Sequence, residues 1–266
     1  MSTNVTLPMQ KVTQHQISPA GAPAVELFLA SPETAEPAGA ILFVHGNQGG
    51  RLLGARETVD TGTLLRFCSR LNITAAAVSQ PGYGGSDGPP DFCGPATQRA
   101  ISSALAFLRA QPHVDPDRVV LYGYSRGAIA SAMVATQDTD LRAVILGAGV
   151  YDLATLYETA SPGVRWKIRQ EAGDTSEAFA VRSALRYADR IRSETLLLHG
   201  GQDDRAPVAQ AEKFAAALSE LGTPVALHVF DCGHRIPHEL SRAAMRPLFM
   251  KVFSSSARGI GPGAPL

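Results

Sequence analysis

The hydrophobic positions of this chain fall in short unbroken runs, and several of them, such as AILFV, VVLY and TLLLH, contain no polar residue in alternation. Strands covered on both faces look like this, whereas a strand with one wet face alternates. Runs of this kind and their less regular companions predict strands at 24–30, 40–45, 73–79, 118–122, 143–148, 195–199 and 225–230. Between them the apolar spacing changes to three and four, which predicts helices over 62–71, 97–110, 128–135, 208–221 and 237–253. Strand alternating with helix is the α/β pattern, with a mainly parallel sheet covered on both sides.

Three stretches depart from that alternation. Residues 31–37 (SPETAEP) read as a polar turn, and 254–266 (SSSARGIGPGAPL) as a flexible Ser/Gly/Pro tail that does not pack. Residues 151–192 interrupt the strand–helix rhythm with helix-compatible segments around 163–172 and 176–188. An insertion between two strands is a candidate small cap over a site, an ordinary pair of connecting helices being the alternative. No internal repeat is present, so 1–266 is read as a single domain.

Composition narrows the possible functions. With 45% hydrophobic residues among 266, the chain can bury one sizeable core without a staple. Lys+Arg and Asp+Glu balance at 24 each, which leaves no basic footprint for nucleic acid and no acidic tail. The opening MSTNVTLPMQK has no basic segment leading an apolar core, and no run approaches the length needed to cross a bilayer; a soluble, cytoplasmic protein is the expectation. The three cysteines Cys68, Cys93 and Cys232 form no CxxC pair and are expected as free thiols, Cys232 as a buried structural one. No Cys/His cluster has metal-ligand spacing, and no Gly-rich loop carries a Walker lysine or opens a dinucleotide fold, so neither a metal nor a cofactor is expected.

The stretch LYGYSRG, residues 121–127, carries the chemistry. Gly123-Tyr124-Ser125-Arg126-Gly127 is G-x-S-x-G between the apolar run RVVLY and the helical run AIASAMVA, the strand–turn–helix context that gives the motif meaning. A serine at so sharp a corner projects its hydroxyl above the sheet end, and flanking side chains would collide with neighbouring backbone. The amide after it, that of Arg126, opens a helix and can face a developing negative charge. A hydroxyl needs a base to attack, and the base an orienting acid. Downstream, TLLLHGGQDDRAP places Asp203 and Asp204 just beyond one strand, and HVFDCGHRIP places His234 beyond the last. The order serine, acid, histidine, each past a strand's carboxyl end, is that of the α/β-hydrolase fold. Asp152, after the preceding strand, is a further candidate acid.

From about residue 24 to 253 the chain resembles an α/β-hydrolase, and VDPDRVVLYGYSRGA, PGYGGSDG and LLLHGGQDDRAP look most like the dienelactone-hydrolase and prolyl-oligopeptidase-like branches. The resemblance implies an eight-stranded, mainly parallel sheet and serine-hydrolase chemistry. The spacing in HGGQDDRAP resembles the family pattern H-G-x-x-D-x-x-V-P, which assigns the acid to Asp203 and leaves Asp204 a capping or surface residue. HGNQGG at 45–50 resembles the H-G-x oxyanion loop and implies the Asn47 amide as second donor beside Arg126, with Gln48 next. The branch is not fixed. Dienelactone hydrolases carry cysteine where Ser125 stands. Prolyl-oligopeptidase relatives carry a second glycine where Ala128 stands and a propeller for which 266 residues leave no room.

The expectation is therefore a serine esterase acting on a small or medium acyl substrate, with amidase or peptidase action by the same triad, or non-hydrolytic chemistry on the same fold, as alternatives. The oligomeric state is left open. Tyr83 in QPGYGGSDG is a candidate pocket residue or a structural turn residue. The Arg126 side chain is a candidate for a substrate carboxylate or for a structural ion pair.

Overall fold

In this computed structural model the described residues are 11–18, 23–34 and 36–254, so all but the first residue of the tail expected at 254–266 lies outside them. The strands are β1 Val12–Ile17, β2 Val25–Ala30, β3 Ala38–Val44, β4 Thr74–Val78, β5 Val114–Tyr124, β6 Ala143–Gly147, β7 Glu194–Gly200 and β8 Val225–Phe230. They form one sheet in the order β1-β2-β4-β3-β5-β6-β7-β8. From β4 to β8 every neighbouring pair is parallel; β2 runs antiparallel to both β1 and β4.

The unbroken apolar runs are explained by the layers on either side. In β3, Leu42 and Val44 join one core with Leu121, Ile101 and Phe214, while Ile41 and Phe43 join the opposite core with Val120, Leu64 and Phe249. Helices α3 Pro95–Arg109, α4 Arg126–Ala135 and α8 Ala209–Glu220 build the first layer. Helices α2 Thr63–Leu71 and α9 His238–Phe253 build the second. Each fully buried Leu or Ile contributes about 1.5–3 kcal/mol, so a strand buried on both faces is filled mainly by apolar side chains, and its few polar ones, such as Glu26 in β2 and His199 in β7, are hydrogen-bonded. All ten residues of α4 are buried, which its small side chains RGAIASAMVA permit.

The sheet has one strand more than the seven read from the pattern. Strand β1, VTQHQI, is an edge strand with no fully buried residue, so it lacks the apolar run that marked the others. The short α1 Arg56–Asp60 buries nothing and had no periodicity to betray it. Within 151–192 the structure has α5 Leu153–Thr159, α6 Pro162–Glu171, α7 Ser176–Ala180 and a 3₁₀ helix Ala184–Arg190. The helix expected at 176–188 is therefore two pieces, broken at 181–183, where Arg182 and Ser183 are buried.

Strands β3, β5, β7 and β8 lie in the parallel block, so the loops at their carboxyl ends open on the same rim of the sheet. Those loops carry Asn47, Ser125, Asp203 and His234.

Candidate active site

Ser125 stands between β5 and α4 with φ 53° and ψ −119°, a conformation costing a non-glycine residue on the order of 1–3 kcal/mol. The corner is closed by backbone on both sides. A Cβ on Gly123 would run into the Gly127 carbonyl and, at 2.5 Å, the Ser131 hydroxyl; one on Gly127 would run into the carbonyls of Val44 and His45. The Ser125 amide donates to Gly147 O at 2.7 Å, which ties the strained residue to β6.

The hydroxyl does not point into empty space. Ser125 Oγ lies 2.9 Å from His234 Nε2, and His234 Nδ1 lies 2.8 Å from Asp203 Oδ2. Since an ionised carboxylate only accepts, Nδ1 carries the proton and Nε2 is left free to accept the serine proton. The two oxygens of Asp203 divide their partners: Oδ1 accepts the amides of Arg205 and Ala206 at 2.9 and 3.0 Å, and Oδ2 faces the imidazole. Burial alone would raise this carboxyl. The hydrogen bonds from His199, His234 and the two amides outweigh it and hold the group well below the usual carboxylate range.

The rival acids lie elsewhere. Asp204 is exposed. Asp152 caps α5, accepting from Thr155 Oγ1 at 2.8 Å.

The early loop meets the same corner. Gly46 lies against Ser125, where a Cβ would stand 3.1 Å from the serine Cβ, so the following residue, Asn47, is carried to the site rim. His45 fixes that loop. It is buried, its Nε2 accepts the Gln80 amide at 3.1 Å, and so its Nδ1 donates to Gly46 O at 2.9 Å. A trans peptide points its N–H opposite its carbonyl, so holding Gly46 O also sets the direction of the Asn47 amide. Among the described residues neither the Asn47 nor the Arg126 amide donates a hydrogen bond. The Gln48 amide, the next candidate, donates none either, while its side chain bonds Gly54 and Glu57.

The Arg126 side chain turns away from solvent into a buried ion pair with Glu171 of α6, Nη2 to Oε2 at 2.6 Å. Phe92 covers the guanidinium at 4.6 Å from the ring centroid. Of the two sequence readings, the structural ion pair is the one observed. Tyr83 is likewise structural: it is buried, its ring centroid is 4.7 Å from that of His45, and its hydroxyl accepts from Arg126 at 3.4 Å. Cys68 and Cys93 are buried free thiols, but Cys232 is only partly buried, contrary to expectation, because it rides on the rim loop that leads to His234.

Sequence reasoning gave no role to His199, whose Nε2 lies 3.5 Å from Asp203 Oδ2 and 2.7 Å from Ala206 O, nor to Glu171. His199 had a faint signal in the H-G-x-x-D spacing. Glu171 had none. Among the described residues no group of three or more His, Cys, Asp or Glu is placed to hold a metal ion. No helix among them is long and apolar enough to cross a membrane.

With this geometry in view, the model of the prolyl oligopeptidase family matches residues 94–249, from the start of α3 through the candidate serine and histidine. The chain belongs to the prolyl oligopeptidase family. Proteins similar to it by sequence or by structure frame it. It is 27% identical over 163 residues to the uncharacterized peptidase YuxL of Bacillus subtilis, covering 60% of this chain and 23% of that one. A puromycin-hydrolyzing peptidase of Mycobacterium tuberculosis superposes with a TM-score of 0.80 at 24% identity, over 95% of this chain and 41% of the other. The Pyrococcus furiosus esterase Pf2001 superposes with a TM-score of 0.71 at 14% identity, over 92% and 93% of the two chains. At such identities the superpositions show the α/β-hydrolase fold alone. The chain spans less than half of the two peptidases.

Proposed function

We propose that the protein is a serine hydrolase that cleaves carboxylic esters of small or medium substrates through an acyl-enzyme on Ser125. The observation that carries this reading is the continuous chain of hydrogen bonds from Ser125 Oγ through His234 to Asp203, at 2.9 and 2.8 Å. His234 Nε2 takes the hydroxyl proton as Oγ attacks the acyl carbon, and Asp203 keeps the imidazole in the reactive tautomer and steadies its charge. The amides of Asn47 and Arg126, both without an internal acceptor, receive the oxyanion. His234 then protonates the departing alkoxide, and water repeats the sequence to release the acid.

Amide hydrolysis by the same groups is the second reading, favoured by family membership and by the peptidases among the similar proteins. An alkoxide leaves more readily than an amine, so ester cleavage is the lesser demand on this triad and is the reading put first. The insertion 151–192 serves as a small cap on the single hydrolase domain, a role supported by the Glu171–Arg126 pair, which joins α6 to the residue following the nucleophile.

A panel of p-nitrophenyl esters of graded chain length beside aminoacyl p-nitroanilides tests the assignment. Turnover of short and medium esters well above that of the anilides is the expected result. Anilide turnover equal to or above the best ester moves the protein to the peptidase reading. No turnover of either class removes the hydrolase reading.

A further inference from the structure

Tyr124, immediately before the candidate nucleophile, is not used in that mechanism, yet it is the side chain that joins the two halves of the site. Its ring lies over Gly147 at the end of β6, in space that only a glycine leaves: a Cβ there would stand 2.5 Å from Tyr124 Cδ2. From this position the hydroxyl reaches across 110 residues of sequence and makes two bonds in the loop carrying the imidazole. It donates to the backbone carbonyl of His234 at 2.5 Å and accepts the amide of Ile236 at 3.1 Å. The ring also meets the imidazole edge to face, with centroids 6.1 Å apart. Burial raises the phenol above its ordinary value, so it stays protonated and able to donate across the neutral range.

The His234 loop needs such a hold. Beyond β8 the chain has left the sheet ladder, Arg235 is exposed, and His234 itself is only partly buried. The base of the loop is tied to the Asp203 loop by the Gln202 amide to Cys232 O at 2.9 Å and by Gln202 Nε2 to Asp231 at 2.6 Å. Among the described residues Tyr124 makes both hydrogen bonds to the backbone of residues 234–236, beside the packing of the Ile236 side chain in the core.

Resting on the triad reading above, we propose that Tyr124 is a positioning residue, which pins the backbone of residues 234 and 236 so that the imidazole stays in line between Asp203 and Ser125. The strand that delivers the nucleophile thereby also sets the distance to its base. The residue touches neither substrate nor reacting atoms. Its action is through His234.

The test is Tyr124→Phe, which removes one oxygen and keeps the ring. The expected result is a fall in kcat on p-nitrophenyl acetate of about tenfold to a hundredfold, the scale on which misplaced catalytic groups cost rate, with little change in KM. The rate of Ser125 labelling by a fluorophosphonate should fall by a similar factor, because labelling needs the same serine–histidine pair and no substrate pocket. A hydroxyl with a merely structural role would lower the melting temperature and leave both rates alone, and that outcome overturns the proposal. If Tyr124→Phe does not yield folded protein, Gly147→Ala carries the same test, since the added methyl must shift the ring and carry the hydroxyl away from the His234 carbonyl and the Ile236 amide. Native kcat in that variant also overturns the proposal. Ser125→Ala, run in parallel, separates the two levels of the argument. An inactive Ser125→Ala beside a fully active Tyr124→Phe refutes the positioning role alone, whereas an active Ser125→Ala refutes the triad reading beneath it.

Discussion

The corner at Ser125 and the insertion at 151–192 lie against each other but are held by different means. Around the corner, backbone packs on backbone: Gly127 abuts two carbonyls, the Ser125 amide is bonded to β6, and every residue of α4 is buried. In the insertion, α7 buries none of its residues and α6 only Ile168. Its two ends are anchored in the core by Tyr151, Leu153, Leu156, Ala184 and Ile191, but its middle, α6 and α7, is held chiefly by polar side chains, Glu171 on Arg126 and Arg182 on the carbonyls of Asp91 and Phe92. A region fixed by backbone contacts has its geometry set before any ligand arrives. A region fixed by a few side chains can be loosened one contact at a time.

The strongest way to break that contrast is at the corner. Ser125→Ala should cut ester turnover by about five to six orders of magnitude, the range lost when a triad nucleophile is removed, while circular dichroism and melting stay near native because a methyl fits the corner. Substantial residual turnover would sink the mechanism. Asp203→Asn keeps the shape but offers His234 the wrong partner, so turnover should fall by about four orders of magnitude or somewhat less. Asp204→Asn and Asp152→Asn remove the same charge and should stay near native, since one is exposed and the other caps α5. A crippled Asp152→Asn beside an active Asp203→Asn would reassign the acid.

The seam between the two regions is tested by Glu171→Ala. It leaves the Arg126 guanidinium buried without its carboxylate, and denaturant melts should show a loss of about 3–5 kcal/mol. Adding Arg126→Met should restore much of that stability, because no uncompensated charge then remains. Equal losses in the single and double variants would mean that the pair does not join the insertion to the corner.

The smallest expected effect is on acid stability. Burial first, and the nearby charge of Arg126 second, push His45 down to about 4, against the Gly46 carbonyl, which favours the protonated ring. The folded value lies below the ordinary histidine value of about 6.5, so the unfolded chain binds the proton more readily. The stability from a neutral His45 is therefore complete above about pH 6.5 and is lost as pH falls towards 4, to the extent of about 3 kcal/mol. The depressed Asp203 acts only lower, since its share is lost below the ordinary carboxylate value of about 4. Denaturant melts from pH 7 to 4 should show this slope in the native protein and a flatter one in His45→Gln.

The corner was legible in the sequence because its requirements are local: a serine between glycines, an apolar run before it, a helical run after it. The order of Ser125, Asp203 and His234 was legible because each follows a mostly apolar run, β5 and β7 with their buried stretches and the edge strand β8 with VALHVF. Edge strand β1 was not, since VTQHQI buries no residue fully and leaves no unbroken run. The insertion yielded only its rough helical content, because pieces of five to ten residues with few buried positions carry little periodicity. The partners of Arg126 and Tyr124 stand 45 and about 110 residues away, and no local pattern announces a side-chain contact over such a span.

The proposed mechanism requires that His234 activate Ser125. The most direct measurement is labelling with a fluorophosphonate followed by peptide mass spectrometry, in the native protein and in His234→Ala. The account predicts one adduct, on the peptide containing Ser125, formed quickly in the native protein and slowed by orders of magnitude in His234→Ala. An adduct on another serine, or labelling of Ser125 at the same rate without the imidazole, would contradict it.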